Sequence, residues 1–177
     1  MKCLSVSLFA LLFMWVLVSA DADSDAEYKS KFIINLVDYV EWPAGGDTDN
    51  KGTIAISVIG DSPLLPKLKA MAEAKTKDGK KIVIKEKVIN EQSYDCQILF
   101  LASKETSDLA KVLKKVKGNP VLTVSDCEYF ANYGVMINFY NEENDGKSKV
   151  KFEVNKATVS MAGLKISSKL LKLAKII

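Results

Sequence analysis

Three short polar stretches hold the side chains of this chain best placed to do chemistry together: Gly60-Asp61-Ser62, Ser103-Lys104-Glu105 and Ser125-Asp126-Cys127. Each follows an apolar run, TIAISVI, CQILFLA and VLTV respectively. If those runs are parallel strands, the three stretches share one sheet edge. Open α/β sheets bind ligands at that edge, beside helix N-termini that offer free backbone N–H groups. Asp61, Ser62, Ser103, Lys104, Ser125 and Asp126 are therefore the candidate ligand-binding residues, for a small molecule or an anion. The same residue types also make helix caps and turns, which is their commoner use. Neither common glycine-rich phosphate pattern stands beside them, so a nucleotide is not expected.

The composition closes several catalytic routes. There is no histidine and no arginine, and lysine carries every positive side-chain charge. Without imidazole there is no Ser-His or Cys-His pair and no histidine metal ligand. A nucleophile such as Ser125 or Cys127 would lack the usual base. Without the guanidinium fork, bidentate reading of phosphate or guanine edges is missing, and no nucleic-acid partner is expected. The carboxylates are scattered. Glu41, beside Trp42, is the one most open to a special role, although a charge at an exposed helix end accounts for it more simply. No catalytic residue, metal or cofactor is assigned.

The elements that must position these residues can be read from periodicity. Residues 26–42 place Phe32, Leu36, Tyr39 and Val40 at helical spacing, with Pro43 and Gly45-Gly46 as the stop. Tyr39 falls on the apolar face and is assigned to the core, whereas Trp42 suits either packing or a partner interface. A buried strand runs into Gly60, and Ser62-Pro63 predicts the start of the next helix. KKIVIKEKVI reads as a strand, CQILFLA as a strand covered on both faces, and residues 103–118 as a helix ended by Gly118. VLTVSD, GVMINFY and SKVKFEVN follow, the last two as an antiparallel hairpin with a somewhat long loop around Asn144-Asp145-Gly146. The closing GLKISSKLLKLAKII places Lys165, Lys169, Lys172 and Lys175 on one helical stripe and Ile166, Leu170, Leu173 and Ile177 opposite. It predicts an amphipathic helix covering the sheet. The expected fold is one α/β domain, a mixed sheet with a parallel core and an antiparallel C-terminal hairpin, flanked by helices.

Residues 1–22 have the layout of an export signal: Lys2, an apolar run over residues 4–18, and small residues at Ser19, Ala20 and Ala22. Cleavage after Ala20 or Ala22 leaves residues 23–177 as one domain, with no later segment apolar enough to insert in a membrane. Two cysteines then remain. Cys96 opens its strand, and Cys127 lies past the end of a parallel neighbour. A strand of that length spans roughly 17–20 Å, whereas a disulfide needs Cα atoms within about 7 Å. Both thiols are expected to be free.

Four stretches taken together resemble the YfiR-like periplasmic proteins. They are YKSKFIINLVDYVEWP, TIAISVIGDSP, DCQILFLASKE and the whole of LTVSDCEYFANYG through to the C-terminus. Tyr39 to Pro43, Val124 to Asp126, Gly134 to Phe139 and Gly163 to Ala174 carry the likeness. The resemblance implies a compact α/β domain in a Gram-negative periplasm, often dimeric and without known catalysis. It also implies a membrane sensor or receptor as partner, because the best-understood member restrains an inner-membrane diguanylate cyclase. The strand cysteine that many relatives carry is Ser57 here, and GVMINFY has no cysteine to meet Cys127. The disulfide-tuned control of that best-understood member is therefore not expected to operate in the same way.

Overall fold

The computed structural model describes residues 22–43 and 52–177. The expected export segment lies almost wholly outside the described residues, as does Gly45-Gly46. Helix α1 spans residues 22–35 and tightens into a 3-10 turn at Leu36–Asp38, ahead of a short strand β1, Val40–Glu41. Then come β2 (Thr53–Ile59), α2 (Leu65–Glu73), β3 (Thr76–Lys77), β4 (Lys80–Lys87), β5 (Ile98–Leu101), α3 (Thr106–Val116) and β6 (Leu122–Ser125). The C-terminal part holds β7 (Ile137–Asn144), β8 (Lys147–Val154), α4 (Lys156–Met161), β9 (Lys165–Ile166), α5 (Ser168–Leu171) and β10 (Lys175–Ile176).

The main sheet has the order β10-β8-β7-β6-β5-β2-β4-β3. β4, β2, β5, β6 and β7 are mutually parallel, and β8 returns antiparallel to β7. The parallel core and antiparallel C-terminal hairpin are thus as expected. Strands β5 and β6 are buried at every position, because helices cover both faces. On one face Ile56, Val58, Phe100 and Val124 pack under α1, α2 and α4; on the other, Ala55, Ile59, Leu99 and Leu101 pack under α3.

Four local expectations are corrected. The first helix does not reach residue 42. Val40 and Glu41 pair instead with Ile166 and Lys165 of β9, and the Ser167 N–H donates to the Tyr39 carbonyl at 2.8 Å. Tyr39 is consequently 38% exposed rather than core. Helix α2 begins at Leu65, not Pro63: Ser62 Oγ accepts from the Leu64 N–H at 3.2 Å, and Pro66 sits in the first turn. The β7–β8 loop is a two-residue turn, not a long one. Asp145 and Gly146 both adopt positive φ (50° and 69°), the backbone a tight type I′ hairpin requires.

The largest correction concerns the closing segment, which is not one helix. Gly163, at φ 72°, ends α4, an element the periodicity does not announce; the Leu164 N–H reaches back to the Val159 carbonyl at 3.2 Å. Lys165 and Ile166 then pair with β1, Ser167 caps the single turn α5, and Lys175–Ile176 pair parallel to Glu153–Val154. Helical spacing of apolar residues lost here to two strand pairings and a glycine. The lysine stripe is therefore divided among three elements.

Candidate functional site

The in-register pairing of Ile59 with Leu101, and of Leu101 with Ser125, brings the three polar loops to one edge. There the hydroxyls are already engaged. Ser125 Oγ donates to the Leu101 carbonyl at 3.0 Å and accepts from the Cys127 N–H at 3.3 Å, fixing the turn out of β6. Ser103 Oγ donates to Asp108 at 2.8 Å and accepts from the Glu105 N–H at 3.2 Å. That bond from Ser103 is the main reason the Asp108 carboxyl lies below its ordinary range. Asp108 sits in the first turn of α3, so this helix end faces an internal anion. Asp126 pairs with Lys29 of α1 at 3.0 Å. Asp61 is exposed, and the Lys104 carbonyl lies 3.9 Å from the Cys127 thiol.

A hollow of about 570 Å³ opens beside Gly60 and Ser103, and Asp61, Glu86, Glu91 and Asp108 are in its walls. Four carboxylates against one lysine, Lys87, repel an anion. Among the described residues, no cluster of three metal-ligating side chains occurs. The loops meet as the sequence predicts, but their bonds serve the fold.

The two thiols are free and differ in setting. Cys96 is 1% exposed, and burial pushes its thiol up to about 11. The Ser57 hydroxyl approaches that sulfur and eases the shift without forming a bond of ordinary geometry, and it has no other partner among the described residues. Cys127 is half-buried, and its thiol is also raised, chiefly by burial and then by Asp126. Neither site favours a thiolate, the form a cysteine nucleophile requires. The register of β5 on β6 leaves Cys96 before one strand and Cys127 beyond the far end of the other.

Trp42 is half-buried against the core that includes α1, and its indole N–H is enclosed with no acceptor among the described residues. Glu41, by contrast, is exposed, as a plain surface charge would be. The segment around them meets the other end of the chain. β1 pairs with β9, and a Cβ placed on Gly163 would lie 3.8 Å from the Pro43 ring. The Glu41-Trp42-Pro43 and Gly163-Leu164-Lys165-Ile166 sequences thus form one structural unit, although more than 100 residues separate them. Sequence reasoning missed this pairing because two-residue strands leave no alternation to read. A family model described as YfiR/HmsC-like matches residues 26–175, from within α1 to the first residue of β10, and the chain belongs to the YfiR/HmsC-like family.

Proposed function

We propose that residues 23–177, released from an export segment, form a non-catalytic periplasmic protein that modulates a membrane-bound signalling partner. The family is one of periplasmic regulators of cyclic-di-GMP signalling rather than of catalysts. The observation that carries the reading is the family match over residues 26–175. The polar loops support it, since their hydroxyls cap and turn the backbone. In this reading the domain binds one state of a sensor or a diguanylate cyclase better than another, and its effect can be no larger than that difference in affinity.

Deleting the gene and restoring it on a plasmid, with cellular cyclic-di-GMP as the readout, tests the reading. Restraint of a cyclase predicts a rise on deletion and its reversal on restoration; an unchanged level contradicts it. Trp42 is the proposed partner-facing aromatic. Trp42→Ala should weaken partner capture while cooperative melting persists, and loss of that melting assigns the indole to packing instead.

A further inference from the structure

Strand β8 is paired with β7 along its whole length, but on its other side β10 covers Glu153 and Val154 alone. The Ile177 N–H donates to the Val154 carbonyl at 3.0 Å, so Val154 turns its backbone groups away from β7. Strand geometry repeats every two residues, so Phe152, Val150 and Ser148 turn theirs outward too. The pairing of Lys175 with Glu153 carries the Lys175 N–H to the Phe152 carbonyl, whereas the Phe152 N–H and both backbone groups of Val150 and Ser148 have no partner among the described residues. Ser148 to Phe152 all border one groove of about 660 Å³. Their side chains alternate between the two faces, so what they share there is the open margin of the strand.

The two sides of this margin differ in chemistry. Across the groove stand Tyr28 and Tyr39, 45% and 38% exposed, with Leu173 at 73%. On the opposite face of the sheet lie Lys147, Lys149 and Lys151. β7 shows what such a face accepts: Glu142 lies opposite Lys149, and Tyr140 lies opposite Lys151. Lys151 Nζ also comes within 3.8 Å of the Glu142 carboxylate.

We propose that the β8 margin docks an extended acidic segment of a protein partner, added as a strand in line with β10. Backbone bonds to Ser148, Val150 and the Phe152 N–H would supply affinity, and alternate side chains would supply selectivity. Guest residues facing α1 would be apolar or aromatic, against Tyr28, Tyr39 and Leu173. Those on the other face would be aspartate or glutamate, beside the lysines. A second copy of this chain fits poorly, since antiparallel pairing of two β8 margins sets lysine against lysine. The edge accommodates about six residues, or roughly 20 Å of strand. The proposal is independent of the regulatory reading above, because an empty margin leaves the gene-deletion result untouched.

The probe is a fluorescent peptide of roughly eight residues alternating valine and glutamate, long enough to overlap the margin. Its controls are the same peptide with lysine for glutamate and a scrambled version. Anisotropy titration of the mature protein should show the acidic peptide binding about tenfold or more tightly than either control, and more weakly as salt rises. Hydrogen exchange should show new protection at the Ser148 and Val150 amides. Ser148→Pro removes an outward N–H without a ladder bond to β7 and should weaken binding about tenfold. Lys149→Glu, should the proline variant fail to fold, must reduce the preference for the acidic peptide. Equal binding of all three peptides, no binding at all, or binding without protection at those amides overturns the proposal. So does a sedimentation result in which the margin is filled by a second copy, with Ser148→Pro dissociating that dimer. In either empty case the lysines merely keep the edge free of other strands.

Discussion

The C-terminal ends of β2, β5 and β6 and the outer margin of β8 are two edges of one sheet that treat their polar groups in opposite ways. At the first, Ser62, Ser103 and Ser125 all bond to nearby backbone groups, and Asp108 and Asp126 have partners of their own. At the second, Ser148 and Val150 keep backbone donors and acceptors turned outward beside exposed tyrosines. In many α/β proteins the first edge binds the ligand. Here its hydroxyls close turns, and a row of open backbone groups lies instead at the side of the sheet. Position in a fold does not by itself locate a site; what matters is which groups are still unsatisfied.

The comparison depends on the β7–β8 wing being a firm part of the domain, and that yields the largest expected effect. Phe139 is 1% exposed, with the Phe32 ring of α1 at 5.2 Å in edge-on contact. Phe32 in turn lies 4.5 Å from Phe152. Phe139→Ala should lower stability in urea unfolding by about 3–5 kcal/mol. A loss below about 1 kcal/mol would mean that the wing packs loosely, and the margin would lose its rigid frame.

The next effect concerns Cys96, whose thiol is raised from 9.0 to about 11 by burial. The folded state then holds this proton more tightly than the unfolded state. The stabilising contribution is complete below pH 9, declines as pH rises toward 11, and amounts to about 2–3 kcal/mol from a two-unit shift. Lysines and tyrosines titrate in the same range, so the measurement is the difference between wild type and Cys96→Ala. The wild type should lose more stability between those pH values, and parallel curves would contradict the buried neutral thiol.

Ser125→Ala sharpens the first edge. It leaves the Cys127 N–H without its bond and removes the donor to the Leu101 carbonyl, so a cost of about 1–2 kcal/mol is expected by thermal or urea unfolding. A neutral result would show that the turn does not need the hydroxyl and would free it for a ligand. The smallest effect is at Asp108. Ser103→Ala should move the carboxyl, followed by NMR titration, back up toward its ordinary value. Because the folded carboxyl is depressed, its contribution is present at neutral pH and is lost as acid brings the pH down through its folded pKa. An unchanged titration would assign the depression to another neighbour, Lys111 being the nearest charge.

The parallel core was legible because β2, β5 and β6 are short apolar runs punctuated by Gly60, Ser103 and Ser125, signals local to each segment. The hairpin was legible for the same reason, although Asp145-Gly146 marked a tighter turn than the polar composition around it implied. The C-terminal segment was misread because its residues satisfy two patterns at once. Ile166, Leu170, Leu173 and Ile177 keep helical spacing, yet Ile166 belongs to β9, Leu170 to α5, and Ile177 follows β10. Only partners far along the chain, Val40 and Glu153 among them, decide between the patterns. The candidate loops were placed correctly at one edge. What the sequence could not reveal is that their hydroxyls would be engaged, since that depends on carbonyls such as that of Leu101 in a neighbouring strand. The open margin of β8 was invisible for the same kind of reason, because an edge is defined by what fails to pair with it.

The most direct test of the contrast between the two edges is residue-resolved amide hydrogen exchange on the unliganded protein. Along β8, the Lys149 and Lys151 amides, directed to β7, should exchange slowly, whereas those of Ser148 and Val150 exchange fast. The Cys127 amide, held by Ser125, should be slow. Uniform protection along β8, or a fast Cys127 amide, would contradict the account.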